Sequence, residues 1–168
     1  PDASSAANFL IYALLNKNPV KILGLKADSI QGDMALLALF KQLAVDYEFD
    51  ASGLTISASQ QISAFDFSVK DCPDLAPILA ILAATLADSS IIRDTASLAF
   101  KESDRGLVLA RELAKLGVNV QYSANDIKIN GPVKNAALIN TEADHRIAMA
   151  FAILGSVVSG IELDNKSC

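Results

Sequence analysis

The chain of 168 residues has no tryptophan, one histidine and two cysteines. Cys72 and Cys168 lie far apart, and His145 has neither of them nearby in sequence. A structural zinc site takes four N or S ligands at short local spacings, so this supply disfavours a metal centre and none is assigned. Two separated thiols fit reduced cysteines in a cytoplasmic protein, with Cys72 an inert core thiol. Positive charge is also scarce. Fourteen Lys and Arg face 19 Asp and Glu, for a formal net charge of −5. With no basic stripe, a nucleic-acid partner held by phosphate neutralisation is disfavoured, although scattered cations can still bind a small anion in a pocket. The N-terminus lacks the basic segment of a signal peptide. The uncharged stretches 3–16, 75–87 and 147–161 all fall short of the roughly 18–20 residues of a spanning helix, which argues against a membrane partner. No P-loop is present, and the Gly before a helix in "SIQGD" is only a weak phosphate-loop signal.

What the chain does have is apolar residues, 52% of the total, and a repeat. "PDASSAANFL", "PDLAPILAIL" and "ADHRIAMAFA" each place an aspartate before an Ala-rich apolar run. The aspartates Asp2, Asp74 and Asp144 recur roughly every 70 residues, a period too long for a solenoid. Asp33 and Asp104 open a second matching pair, "GDMALLALFKQLAVDYEF" and "SDRGLVLARELAKLGVNV". Each aspartate is expected to cap its helix by accepting hydrogen bonds from free backbone N–H groups. The leucines inside each pair recur at helical spacing, and alternating stretches around "DASG" and "SAND" read as hairpins.

The expected unit is therefore helix, strand ("VKILGL", "SSIIRD"), helix, hairpin and one more strand ("SAFDFSV", "AALIN"). Such units predict an α/β (α+β) fold of pseudo-symmetric repeats packed on shared buried helices. Residues 1–168 read as a single, incomplete domain with units at about 2–70, 73–140 and 143–168, the last truncated. The half-unit that is missing points to a longer parent protein.

Three polar clusters interrupt the apolar sequence near helix starts: "KDCPD" (Lys70, Asp71, Asp74), "KESDR" (Lys101, Glu102, Asp104, Arg105) and "DHR" (Asp144, His145, Arg146). If equivalent helices open toward one end, the clusters share a rim. Helix N-termini suit anions. Arg105 and Arg146 could grip a phosphate or carboxylate bidentately, and Lys101 adds a point charge. Glu102 and Asp74 could exchange protons. Each feature also has a plain reading. An aspartate at a helix start is ordinarily a cap, "KESDR" alone is a solvated first turn, and a lone histidine is more often structural.

"PDASSAANFL", "SIQGD", "DCPDLAP", "KESDR", "ELAKLG" and "DHRIAMA" occur in the order found in the 5-enolpyruvylshikimate-3-phosphate synthase (3-phosphoshikimate 1-carboxyvinyltransferase) family, which the whole chain resembles. The resemblance implies a domain of three βαβαββ-type units around parallel buried helices. It equates this chain with most of the second domain, a partner first domain lying elsewhere in the same protein. It implies transfer of the enolpyruvyl group of phosphoenolpyruvate to the 5-hydroxyl of shikimate-3-phosphate, in aromatic amino acid biosynthesis. No metal or organic cofactor is implied, glyphosate is the implied inhibitor, and the fragment alone would be inactive.

By the same resemblance Asp74 contacts substrate hydroxyls and is a candidate base. Glu102 transfers a proton at the phosphoenolpyruvate methylene, and Lys101 contacts substrate beside it. Arg105 and Arg146 hold anionic groups of phosphoenolpyruvate, and His145 sits near Glu102. The chain ends before a lysine of the family's site, and Ser97 stands about where many members carry an Asn. The alternatives are a domain of the related UDP-N-acetylglucosamine enolpyruvyl transferases and a non-catalytic binding module of the same fold.

Overall fold

The computed structural model describes residues 2–57 and 61–165; Cys168 lies outside them. Apolar periodicity and caps account for the helices. Helix α1 (Ala3–Asn16) starts on Asp2, whose carboxylate accepts from the Ser5 N–H at 2.7 Å, and it ends at Lys17 in a left-handed conformation. After strand β1 (Val20–Leu23), a 3-10 turn (Gly32–Ala35) runs into α2 (Leu36–Gln42), and a hairpin follows, β2 (Tyr47–Asp50) and β3 (Gly53–Ile56). Strand β4 (Asp66–Ser68) leads through a second 3-10 turn (Pro73–Leu75) to α3 (Ala76–Ala84) and β5 (Ser89–Arg93). A third 3-10 segment (Thr95–Phe100) precedes α4 (Arg105–Lys115), β6 (Asn119–Tyr122) and β7 (Asp126–Asn130). The chain closes with β8 (Leu138–Ile139), α5 (His145–Gly155) and β9 (Glu162–Leu163).

The strands form three sheets, in the orders β1-β3-β2, β4-β5-β7-β6 and β8-β9. Strands β4 and β5 are parallel, as are β8 and β9, so α3 and α5 are each the crossover of a βαβ unit. The strand that ends one sequence period thus opens the next sheet: β4 pairs with β5, not with the hairpin before it.

The core sits where α1, α3 and α5 pack together. Every residue of α3 is buried, so its lack of any charged side chain is required on all faces. Leu79, Ile81 and Leu82 are fully excluded from water, and truncating one of them to Ala costs about 2–5 kcal/mol. The three helices run the same way. Leu14, Leu82, Leu86 and Val158, at or just past their C-terminal ends, line one apolar hollow. Their N-terminal ends meet at the opposite pole, where the charged clusters lie. Among the described residues, no helix is long and apolar enough to cross a membrane.

Candidate active site

Two of the three repeat aspartates behave as the sequence predicts. Asp2 caps α1, and Asp144 caps α5 by accepting from the N–H groups of Arg146 (2.9 Å) and Ile147 (3.4 Å). Asp104 likewise caps α4 through the Leu107 N–H. Asp74 does not cap α3, which corrects the expectation. Pro73 opens this turn without an N–H of its own, and Asp74 lies one residue inside the turn. Its carboxylate is therefore free to face the neighbouring units. Asp33 is not a cap either. It lies within its 3-10 turn, and its carboxylate accepts from the Ser4 hydroxyl.

The freed Asp74 carboxylate gathers three cations. Oδ1 accepts from Arg105 Nη1 at 2.9 Å and lies 3.3 Å from Lys101 Nζ, while Oδ2 lies 3.1 Å from Arg146 Nη2. Burial alone would raise its pKa, but Arg146, Lys101 and Arg105 together outweigh burial and hold the carboxyl below its ordinary value. Asp74 is thus ionised at neutral pH.

Arg105 is the structural hub. At 1% exposure it is the largest fully buried side chain among the described residues. Its Nε donates to Asp144 Oδ2 (2.8 Å), and its Nη2 donates to Glu102 Oε2 (2.6 Å) and Asp144 Oδ1 (3.3 Å). With Nη1 on Asp74, a guanidinium expected to grip an incoming anion already holds three protein carboxylates. A buried cation needs such partners, because desolvation costs several kcal/mol per ion. Desolvation also opposes the charge on Asp144, yet the bond to Arg105 and its positive field prevail and lower the Asp144 pKa. The Ser103 hydroxyl completes the group at 3.0 Å from Asp144.

Arg146 is held less completely. Its Nη2 reaches Asp74, but its Nη1 is buried and has no hydrogen-bond partner among the described residues. A buried donor without an acceptor is costly, and this one sits on a guanidinium that shares the Asp74 carboxylate with Lys101. Glu102 is the most exposed member, its side chain half open to solvent.

The structure thus brings Asp74, Lys101, Glu102, Arg105, Asp144 and Arg146 together at one pole. No hydrogen bond or ion pair joins His145 to this group among the described residues. His145 is exposed, and Glu102 is bonded to Arg105. Lys70 and Asp71 are exposed and join no ion pair among the described residues, and Ser97 is exposed on its 3-10 segment.

"SIQGD" is a packing element. Gln31 Oε1 accepts from the Ala3 N–H (2.7 Å), and a Cβ on Gly32 would stand 2.5 Å from the Asp71 carbonyl oxygen. Its glycine lets two loops touch just before Asp74. Asp33 nearby has its pKa raised, chiefly by burial and also by Asp74, against the lowering influence of Ser4 and Arg146. Cys72 is buried and its thiol is pushed up to about 11 by burial and by Asp33 and Asp71, as suits an unreactive core thiol. Among the described residues, no group of His, Cys, Asp and Glu could hold a metal ion.

Sequence reasoning missed the second task of Asp144, the Ser103 hydroxyl and the buried Glu112. The visible signal for Glu112 was an acid on the leucine-rich face of α4, seven residues after Arg105.

The whole chain, residues 1–168, matches the family described as EPSP synthase (3-phosphoshikimate 1-carboxyvinyltransferase). It is 34% identical over 166 residues to the 3-phosphoshikimate 1-carboxyvinyltransferase of Syntrophobacter fumaroxidans, covering 98% of this chain and 39% of that one. To the enzyme of the same name from Neisseria meningitidis serogroup C it is 33% identical, covering 99% and 40%. Among solved structures, EPSP synthase from Acinetobacter baumannii superposes with a TM-score of 0.83 at 27% identity, over 96% of this chain and 41% of that one. The enolpyruvyl transferase NikO from Streptomyces tendae shares the fold, with a TM-score of 0.75 at 20% identity over 98% and 39% of the two chains. The chain thus spans about two fifths of the length of these relatives. It has the α/β fold of the enolpyruvyl transferases and belongs to the EPSP synthase (3-phosphoshikimate 1-carboxyvinyltransferase) family.

Proposed function

We propose that this domain supplies one wall of a site that transfers the enolpyruvyl group of phosphoenolpyruvate to the 5-hydroxyl of shikimate-3-phosphate, releasing phosphate. The observation that carries the reading is the convergence of Lys101, Arg105 and Arg146 on Asp74, with Arg146 Nη1 left unpartnered among the described residues. Residues 1–168 form most of one globular domain. A second domain of the same protein supplies the facing wall, so the isolated fragment is inactive. The protein works in the cytoplasm, and glyphosate, an anion, competes at the same cations.

In this reading Arg146 and Lys101 receive the anionic groups of phosphoenolpyruvate, and Arg105 reaches them once Glu102 swings aside. Asp74, ionised and aimed by its three cations, accepts a hydrogen bond from the substrate hydroxyl and then its proton as oxygen adds to the enol carbon. Glu102, solvent-accessible and next to Lys101, exchanges the proton at the methylene carbon. The adduct then loses phosphate, and the proton added to the methylene is removed to restore the double bond. Positioned proton transfers of this kind contribute about 10²–10⁴-fold each. His145 has no partner in the site that gives it a catalytic task, and it is left as a rim residue in reach of bound substrate.

Phosphate release by the full-length protein, given phosphoenolpyruvate and shikimate-3-phosphate, tests the proposal. Turnover is expected. No turnover with this acceptor, and turnover with UDP-N-acetylglucosamine, would assign the domain to the sister chemistry. No turnover with either would leave a binding module.

A further inference from the structure

Helix α4 carries two buried charges seven residues apart, Arg105 and Glu112. Seven residues is close to two helical turns, so both lie on one face. Arg105 holds Asp144, the residue that starts α5. Glu112, 0% exposed, accepts from the backbone N–H of Asn140 at 2.9 Å, where β8 has just ended. The segment "NTEAD" is therefore gripped at both ends by one helix.

That segment needs gripping. Glu142 and Ala143 have φ values of 51° and 54°, a left-handed backbone that non-glycine residues adopt at a cost. Further ties converge on it. Arg111 Nη2 donates to Glu142 Oε1 (2.8 Å), while its Nε donates to Glu112 Oε1 (2.7 Å). The Thr141 N–H and hydroxyl both donate to Asp164 Oδ1, at 2.9 and 2.8 Å. Lys115 Nζ holds Glu112 Oε2 at 2.5 Å. Burial would raise the Glu112 pKa, but Lys115, Arg111 and the Asn140 N–H outweigh it and keep the carboxyl ionised.

We infer that Glu112 is a positioning residue. It holds the strained turn 140–143 so that Asp144 meets Arg105 and Arg146 meets Asp74. It touches no reacting group itself and acts through the turn. The inference rests on the enolpyruvyl-transfer reading for its kinetic consequence, but the clasp can be tested without it.

The test uses the full-length protein with Glu112→Met, which fills the volume and accepts no hydrogen bond, and Glu112→Gln, whose carbonyl still accepts from Asn140. Glu142→Ala, a surface change, leaves Glu112 in place and removes the ties that Arg111 Nη2 and the Asn140 side-chain amide make to Glu142 Oε1. Amide hydrogen exchange at 141–144 should quicken about tenfold in Glu112→Met, less in Glu142→Ala and least in Glu112→Gln, with α3 amides unchanged. The KM for phosphoenolpyruvate should rise about tenfold in Glu112→Met, with kcat and the KM for shikimate-3-phosphate within about threefold, and Glu112→Gln should restore most of it. Unchanged exchange at 141–144 in both Glu112→Met and Glu142→Ala would overturn the clasp. So would a rise in both KM values together. If the unaltered protein shows no turnover, enolpyruvyl transfer is the reading that fails, and the exchange result alone decides the clasp. Should Glu112→Met not fold, Glu142→Ala decides in the same way.

Discussion

The starts of α3 and α5 carry the same sequence signal and do different work. Both have an aspartate before an apolar helix. At α5 the aspartate precedes the helix, so its carboxylate turns back onto the N–H groups of Arg146 and Ile147. At α3 the proline precedes the aspartate, and the carboxylate turns outward to Lys101, Arg105 and Arg146. A shift of one residue in register converts a structural cap into an acceptor for three cations. Within a repeat, the member that breaks the local rule is the one to suspect of function.

This comparison can be broken at several points. The largest effect is expected at Asp144, which caps α5 and neutralises a buried arginine together. Asp144→Ala should lower the stability of the full-length protein by about 3–5 kcal/mol, read from its denaturant midpoint. A loss no larger than that of an ordinary cap, about 0.5–2 kcal/mol, would show that Arg105 is held well enough by Asp74 and Glu102. Next is Gly32→Ala, whose new Cβ would meet the Asp71 carbonyl oxygen at 2.5 Å. Moving the loop before Asp74 should cost about 1–3 kcal/mol and lower kcat/KM as well. Unaltered kinetics would mean that the two loops position nothing.

The pH dependence follows from the shifted carboxyls. Asp74, Asp144 and Glu112 all have lowered pKa values. Their stabilisation is complete above the unfolded carboxyl range, about pH 4, and is lost as pH falls through their folded values. Asp33 has the opposite sign, its raised pKa favouring the folded state as pH falls. Asp33→Asn should therefore have the smallest effect, roughly a few tenths of a kcal/mol of added stability at pH 7 that fades toward pH 4. A loss of stability at pH 7 in a urea titration would assign Asp33 a needed ionic role.

Much of the fold was legible because it is local and repeated. The caps at Asp2, Asp104 and Asp144, the uncharged helix α3 and the two hairpins all follow from short-range chemistry. That the charged clusters share a pole also followed, since parallel helices place equivalent starts together. The sheet partner of β4 did not, because pairing between strands separated by a helix is a matter of topology. Nor did the saturation of Arg105 by Asp74, Glu102 and Asp144, or the grip of Glu112 on Asn140, since each joins residues brought together only by packing. The placement of His145 near Glu102 rests on likeness of motif alone, and the exposed imidazole bonds to no member of the cluster among the described residues.

The central claim is that Asp74 serves chemistry where its repeat equivalent Asp2 serves the helix. It is tested most directly by comparing Asp74→Asn with Asp2→Asn in the full-length protein, measuring kcat and thermal midpoint together. The account predicts a kcat about 10²–10⁴-fold lower for Asp74→Asn, and a kcat within about threefold of the unaltered protein for Asp2→Asn. Equal kcat values for the two variants would contradict it.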